Sequence, residues 1–155
     1  VRSCAPTTPL AEPMSEHVIV AVDGGPGSDA ALGWAIDRAR SIETHLELLT
    51  VVDIHRPRAM GRDLDLAAHE RVLLEAGRKV GVSGIRAHCS TTLHHGGLVA
   101  GLVAASRRAD LLVMGSDERE LANGAVHGTL APVVVARTRS PVVVVPAGWK
   151  AASGG

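Results

Sequence analysis

The sequence has almost no aromatic residues. Among its 155 residues there is no Phe and no Tyr, and Trp34 and Trp149 are the two tryptophans. A core therefore has to be built from Val, Leu, Ile and Ala, which is typical of parallel sheets buried on both faces. The lack of aromatic stacking platforms also argues against binding of single-stranded nucleic acid.

The sequence also has no net charge, only two cysteines and no long apolar run. Sixteen basic and sixteen acidic residues cancel, so no overall field draws the protein onto nucleic acid or a membrane surface. Cys4 and Cys89 are too few for a disulfide framework, and they fit a reducing, cytoplasmic compartment. No run reaches the roughly 20 apolar residues of a membrane span.

Apolar residues nevertheless make up 46% of the chain, which is enough for one domain with one core. Five strand-length apolar runs alternate with four helical patterns, of which the first begins after Ser28 as the expected N-cap. The strands are expected at 17–22, 45–52, 84–92, 110–115 and 141–146. This order predicts an α/β fold with a five-stranded parallel sheet and helices on both faces, which is a Rossmann-like arrangement.

The boundaries of the domain are set by changes in composition. Residues 1–15 contain three prolines and are expected to form a flexible N-terminal tail, with Met14 as an alternative start of translation. Residues 149–155 end in Ser-Gly-Gly and are expected to form a flexible C-terminal end. The folded domain is therefore expected at residues 16–148.

A glycine-rich loop, Asp23 to Ser28, follows the first expected strand. Gly25, Gly27 and Ala30 match the dinucleotide-binding form G-x-G-x-x-A, although the chain has no room for the second half of that fold and a catalytic domain. The loop can also be compared with the SGGxDS loop of ATP pyrophosphatases, whose Ser and Asp are replaced here. A tight strand-to-helix turn is the third interpretation.

A second glycine-containing segment, MGSDERELANGAVHGTL, joins the fourth expected strand to the fourth expected helix. Proline is tolerated in the first turn of a helix, so Pro132 places the helix start near Gly128 and Thr129. The free N–H groups and the dipole of such a helix start attract phosphate.

The segments VIVAVDGGPGSDAALGWAI, ADLLVMGS and GAVHGTLAPVVVARTRSPVVVVP, in this order, resemble the universal stress protein family. The resemblance covers Glu16 to Pro146. It implies an adenine nucleotide alpha hydrolase-like fold and a stress-response regulator, not an enzyme. Slow ATP hydrolysis is the alternative activity, for which the sequence offers no positioned base or nucleophile. The resemblance further implies ATP as the ligand, with Mg²⁺ bound only together with ATP, and a homodimer formed through the C-terminal strand.

The ATP-binding branch of that family carries the motif G-x2-G-x9-G-[S/T]. Gly115, Gly128 and Thr129 match it, whereas Glu118 stands at the second glycine. A carboxylate beside the phosphates would weaken ATP binding about ten- to several-hundred-fold. The alternative is therefore a nucleotide-independent, dimeric interaction module of the same family.

The family's nucleotide contacts carry over to seven positions of this chain. The resemblance implies that adenine and ribose contact Asp23 and Val51, and that the phosphates contact residues at the start of the fourth helix. The implied set is Asp23, Val51, Met114, Gly115, Gly128, Thr129 and Leu130.

His88, Cys89, His94 and His95 suggest a metal site at first sight. Neighbouring residues of a strand point to opposite faces, so His88 and Cys89 cannot share one ion, and the spacing is not that of a structural zinc site. No Ser in the sequence has the surroundings of a hydrolase nucleophile elbow. We therefore expect no resident metal and no catalytic residues.

Overall fold

A computed structural model describes residues 15–53, 62–94, 96–116 and 130–151 of the chain. Strands and helices alternate along these residues, as the sequence predicts. The elements are β1 (Val18–Ala21), α1 (Pro26–Ile42), β2 (Leu46–Asp53), α2 (Arg62–Val82), β3 (Ala87–His94), α3 (Gly97–Ser106), β4 (Leu111–Ser116), α4 (Leu130–Arg137) and β5 (Val142–Pro146).

The five strands form one parallel sheet in the order β3-β2-β1-β4-β5. β1 lies at the centre, and its Ile19 pairs with Glu47 of β2 on one side and Leu112 of β4 on the other. The direction of winding therefore reverses at β1, and the carboxyl ends of β1 and β4 lie side by side. The predicted five-stranded parallel α/β fold is confirmed.

Alternation along the strands gives the sheet two apolar faces. Val18 and Val20 of β1 belong to a buried cluster with α1 and α2, whereas Ile19 belongs to a second cluster with α3 and α4. Successive residues of β1 thus point alternately to the two layers of helices. Aliphatic side chains and Met114 form the buried part of both clusters, which agrees with the scarcity of aromatic residues.

The third strand begins later than the sequence predicts. Gly84 has a positive φ of 79° and forms the turn after α2, in which the N–H of Ile85 donates to the carbonyl of Val80. Such a turn is typical of a glycine after a helix C-terminus. Two more residues are then needed to reach the sheet, so β3 starts at Ala87 and not at Gly84.

The chain returns to α1 after β5. The N–H of Trp149 donates to the carbonyl of Pro146, and a methyl group on Gly33 of α1 would lie 3.3 Å from the ring of Trp149. Trp34 and Trp149 both pack against the cluster formed with α1 and α2. The two tryptophans therefore lie on the same side of the sheet.

Candidate functional site

A cleft opens at the carboxyl ends of β1 and β4, where the winding of the sheet reverses. Ligands of open α/β sheets bind at this position. The structure brings the predicted site residues Asp23, Val51, Met114, Gly115 and Leu130 together around the cleft. The described lining consists of Ala21, Val22, Asp23, Gly25, Gly27, Ser28, Leu49, Val51, Leu98, Leu102, Met114, Gly115 and Leu130.

Two predicted phosphate-binding residues, Gly128 and Thr129, lie outside the described residues, and so does Glu118. Leu130, which follows Thr129 directly, is the first residue of α4 and lines the cleft. The roles of all seven residues in binding stay predictions.

The loop after β1 is held by its own side chains. Oδ1 of Asp23 accepts the N–H of Gly25 at 2.7 Å, and Gly24 between them has a positive φ of 85°. The prediction that Ser28 is the N-cap of α1 is wrong, because the N-cap is Gly25, three residues earlier, and Pro26 is the first residue of the helix. The hydroxyl of Ser28 instead accepts the N–H of Asp23 at 3.1 Å.

Gly115 has a structural reason to be glycine apart from any ligand. A methyl group at Gly115 would clash with the backbone of Gly27, and one at Gly27 would lie 2.5 Å from the carbonyl oxygen of Ser116. The end of β4 and the first turn of α1 therefore touch backbone to backbone. This contact fixes how closely the end of β4 approaches the first turn of α1 at the edge of the cleft.

The floor and one wall of the cleft are apolar. Val51 and Met114 are 8% and 3% exposed, and Leu98 and Leu102 of α3 stand above them. Gly101 lets α3 approach, since a methyl group there would clash with Val51. The volume is about 70 Å³, which is below the roughly 300–1,000 Å³ of pockets that enclose whole small ligands. The described residues can therefore enclose part of a nucleotide.

The histidines and the cysteine of β3 do not converge. Nδ1 of His94 accepts the N–H of Gly96 at 3.0 Å, whereas Cys89 lies 3.8 Å from the carbonyl of Leu73 on the opposite face. Burial raises the pKa of the Cys89 thiol. Within the described ranges, no three His, Cys, Asp or Glu residues are placed to hold a metal ion; His95 lies outside those ranges.

A buried carboxylate at the other end of the sheet was not identified from the sequence. Glu47 of β2 is 6% exposed and accepts hydrogen bonds from Ser90 at 2.8 Å, from His17 at 2.8 Å and from Arg108. We call these four residues the Glu47 cluster. Its one signal in the sequence is an acidic residue inside the apolar run HLELLTVV.

Hydrogen bonds from neighbouring residues favour the charged form of Glu47. Nε2 of His17 faces the Glu47 carboxylate, and Nδ1 of His17 faces the carbonyl of Arg108 at 2.7 Å. Burial raises the pKa of Glu47, but hydrogen bonds from Ser90, Arg108 and His17 and the charge of Arg108 outweigh it, so the pKa is lowered.

None of the helices in the described part of the chain is long and apolar enough to cross a membrane.

Comparison with known proteins agrees with this architecture. Residues 14–146 match the universal stress protein family. A universal stress protein of Mycobacterium tuberculosis (strain ATCC 25618 / H37Rv) is 31% identical over 133 residues, which cover 86% of this chain and 49% of that protein. The chain thus spans about half the length of the curated relatives it matches.

Solved structures share the fold. A universal stress protein in complex with cAMP superposes with a TM-score of 0.68 and 22% identity, over 86% of this chain and 98% of that one. The universal stress protein from Archaeoglobus fulgidus in complex with dAMP gives a TM-score of 0.68 and 17% identity, over 86% and 99% of the two chains.

Proposed function

The chain belongs to the universal stress protein family, and we propose that it acts as a stress-response regulator that binds an adenine nucleotide in the cleft. The observation that carries this proposal is the convergence of Asp23, Val51, Met114, Gly115 and Leu130 on one cleft at the reversal of the sheet. A cytoplasmic location is part of the same proposal, because two cysteines suit a reducing compartment.

The chemistry of the lining suits an adenine nucleoside. Val51, Leu98, Leu102 and Met114 offer an apolar slot for a flat base, and the exposed carboxylate of Asp23 offers an acceptor for a ribose hydroxyl. The two neighbours named above hold cAMP and dAMP, which share the adenine base and carry one phosphate each. This likeness supports the adenine part of the proposal.

The phosphates are proposed to extend beyond the apolar slot towards the start of α4. ATP is included as a ligand, with Mg²⁺ only as its companion ion. The motif position of Glu118 concerns the phosphates and not the base, so ATP is expected to lose more affinity through Glu118 than AMP does.

Titration calorimetry with AMP and ATP tests the proposal on the whole chain. Asp23→Ala should weaken AMP binding about tenfold, which is the loss of one charge-assisted hydrogen bond. Asp29→Ala is the matched control, because Asp29 pairs with Lys79 of α2 at 3.1 Å and does not line the cleft. Absence of binding at millimolar nucleotide would contradict the proposal and favour the nucleotide-independent module.

A regulatory role, not a catalytic one, is proposed for the cleft. Its described lining offers one carboxylate, on Asp23, and one hydroxyl, on Ser28. Asp23 holds its own loop through Gly25, and Ser28 accepts the N–H of Asp23. A nucleophile with a neighbouring base, as covalent catalysis needs, is not assembled from these two groups.

A homodimer through β5 is also proposed. β5 lies at the edge of the sheet with β4 as its described partner, and Val144 is 37% exposed. A bare apolar edge strand invites pairing with a second copy. Light scattering should show a dimer that Val144→Lys converts to monomer, whereas Val82→Lys, at an 85% exposed position of α2, should leave it intact. A monomer in the parent protein would contradict this part.

A further inference from the structure

Three arginines converge at the end of the sheet opposite the cleft. Arg107 follows the last residue of α3, Arg137 ends α4, and Arg139 lies in the link to β5. Together they line a cavity of about 460 Å³ at the amino ends of β4 and β5. A volume of this size lies within the roughly 300–1,000 Å³ range of small-ligand pockets.

Among the described residues, no acidic side chain pairs with the arginines of this cavity. None of Arg107, Arg137 and Arg139 forms an ion pair with another residue in the described parts of the chain. By contrast, Arg38 pairs with Glu16 at 2.8 Å. The described lining of the cavity contains three arginines and no carboxylate, which makes the cavity attractive to a multiply charged anion.

Hydroxyl groups fix the two segments that carry the arginines. The Ser140 hydroxyl donates to the carbonyl of Ser106 at 2.6 Å and so ties the link before β5 to the end of α3. The Ser106 hydroxyl donates to the carbonyl of Val103 at 2.6 Å. The backbones that carry Arg107 and Arg139 are thereby held in place before any ligand arrives, which lowers the entropy cost of binding.

Helix dipoles explain only part of this arrangement. A cation at a helix C-terminus is favourable, which accounts for Arg107 after α3 and for Arg137 in the last turn of α4. Arg139 lies two residues beyond α4, yet it lines the same cavity. A planar guanidinium group can donate two parallel hydrogen bonds to the oxygens of one phosphate group. Several arginines that line one cavity therefore suit phosphate groups in particular.

We propose that the cavity lined by Arg107, Arg137 and Arg139 binds a multiply charged oxyanion of the phosphate class. The ligand is either a free condensed phosphate or the phosphate tail of a nucleotide. The site is independent of the cleft at the carboxyl ends of the strands.

Calorimetry with inorganic pyrophosphate on the whole chain is the first test. Arg107→Ala and Arg139→Ala should each weaken binding about tenfold, and binding should weaken steadily as salt is raised. Arg86→Ala is the matched control, because Arg86 is exposed at the amino end of β3 and does not line the cavity. No pyrophosphate binding at millimolar concentration, or equal loss in all three variants, would overturn the proposal.

NMR locates the ligand and identifies its source. Pyrophosphate should shift the backbone amides of residues 106–107 and 137–140 and leave those of residues 23–25 in the cleft unchanged. If the ligand is the phosphate tail of a nucleotide, ATP should change the amide shifts of residues 137–140 at lower concentration than pyrophosphate does. If the ligand is a free condensed phosphate, pyrophosphate should act at the lower concentration. Shifts confined to the cleft would refute the site.

Discussion

Replacing Glu47 with Gln tests how much the buried Glu47 cluster stabilises the fold. The variant keeps the shape of the side chain but removes its charge. Its NH₂ group has to replace either the oxygen that contacts His17 or the oxygen that contacts Arg108 and Ser90. A hydrogen bond to a charged group contributes roughly 1.5–3 kcal/mol. Removing one partner of a fully buried ion pair costs about 3–5 kcal/mol.

The expected loss is smaller than the fully buried value, because the partners are half in solvent. The side chains of Arg108 and His17 are 46% and 34% exposed, whereas that of Glu47 is 8% exposed. We expect the free energy of unfolding to fall by about 2–4 kcal/mol, and Tm to fall by roughly 6–15 °C. Urea denaturation followed by circular dichroism measures the first quantity.

Glu70→Gln is the control, because Glu70 is an exposed glutamate of α2. A change within about 0.5 kcal/mol is expected there. If Glu47→Gln costs no more than Glu70→Gln, the Glu47 cluster does not stabilise the fold.

The pH dependence gives a second and sharper test of the same carboxylate. The pKa of Glu47 in the folded protein lies below its ordinary value of 4.5, so its contribution is fully present above that value. The contribution is lost as the pH falls from 4.5 through the lowered pKa, because in this range the unfolded state takes up a proton more readily than the folded state does. The difference between parent and Glu47→Gln should therefore shrink on acidification below 4.5. A constant difference down to the acid transition would refute the charge as its cause.

Two further changes address the loops at the cleft. Gly115→Ala should lower the free energy of unfolding by about 2–4 kcal/mol, because its methyl group meets the backbone of Gly27. Gly81→Ala, in open space near the end of α2, should instead raise the free energy of unfolding by about 0.5–1 kcal/mol in the same denaturation assay. Equal effects of the two substitutions would contradict the contact between Gly115 and Gly27. Glu118→Gly should tighten ATP binding at least about tenfold by calorimetry, whereas Glu120→Gly, outside the motif positions, should not; equal affinities of the two variants would refute the role of Glu118.

The order of strands and helices follows from the sequence because its signals are local. Runs such as HVIVAV contain their own β-branched residues, and turn residues bound them. The start of β3 could not be placed so well, since the turn after α2 needs Gly84 in a left-handed conformation and the next two residues only bridge to the sheet. The start of α1 is ambiguous in the sequence for a different reason, because Ser28 as an N-cap and Pro26 as a first helical residue are both acceptable.

The cleft was predictable in part, because its members follow strand ends whose position the fold decides. Asp23 and Gly115 stand at the ends of two parallel strands, so the fold class alone assigns them to one edge of the sheet. The packing reason for Gly115 could not be predicted, since Gly27 is far away in the sequence. The Glu47 cluster was beyond reach for the same reason: His17, Ser90 and Arg108 lie 30, 43 and 61 residues from Glu47.

Because of where the two tryptophans lie, the intrinsic fluorescence of the protein reports on one side of the sheet. Trp34 and Trp149 account for all of its indole emission, and both pack on the side of the sheet covered by α1 and α2. Their fluorescence therefore reports whether the segment after β5 stays docked on α1, and a base that enters beneath α3 does not touch them. Because Phe and Tyr are absent, the near-ultraviolet absorbance of the protein comes from the two indole rings, and a co-purified adenine nucleotide would add absorbance on the short-wavelength side of the indole band.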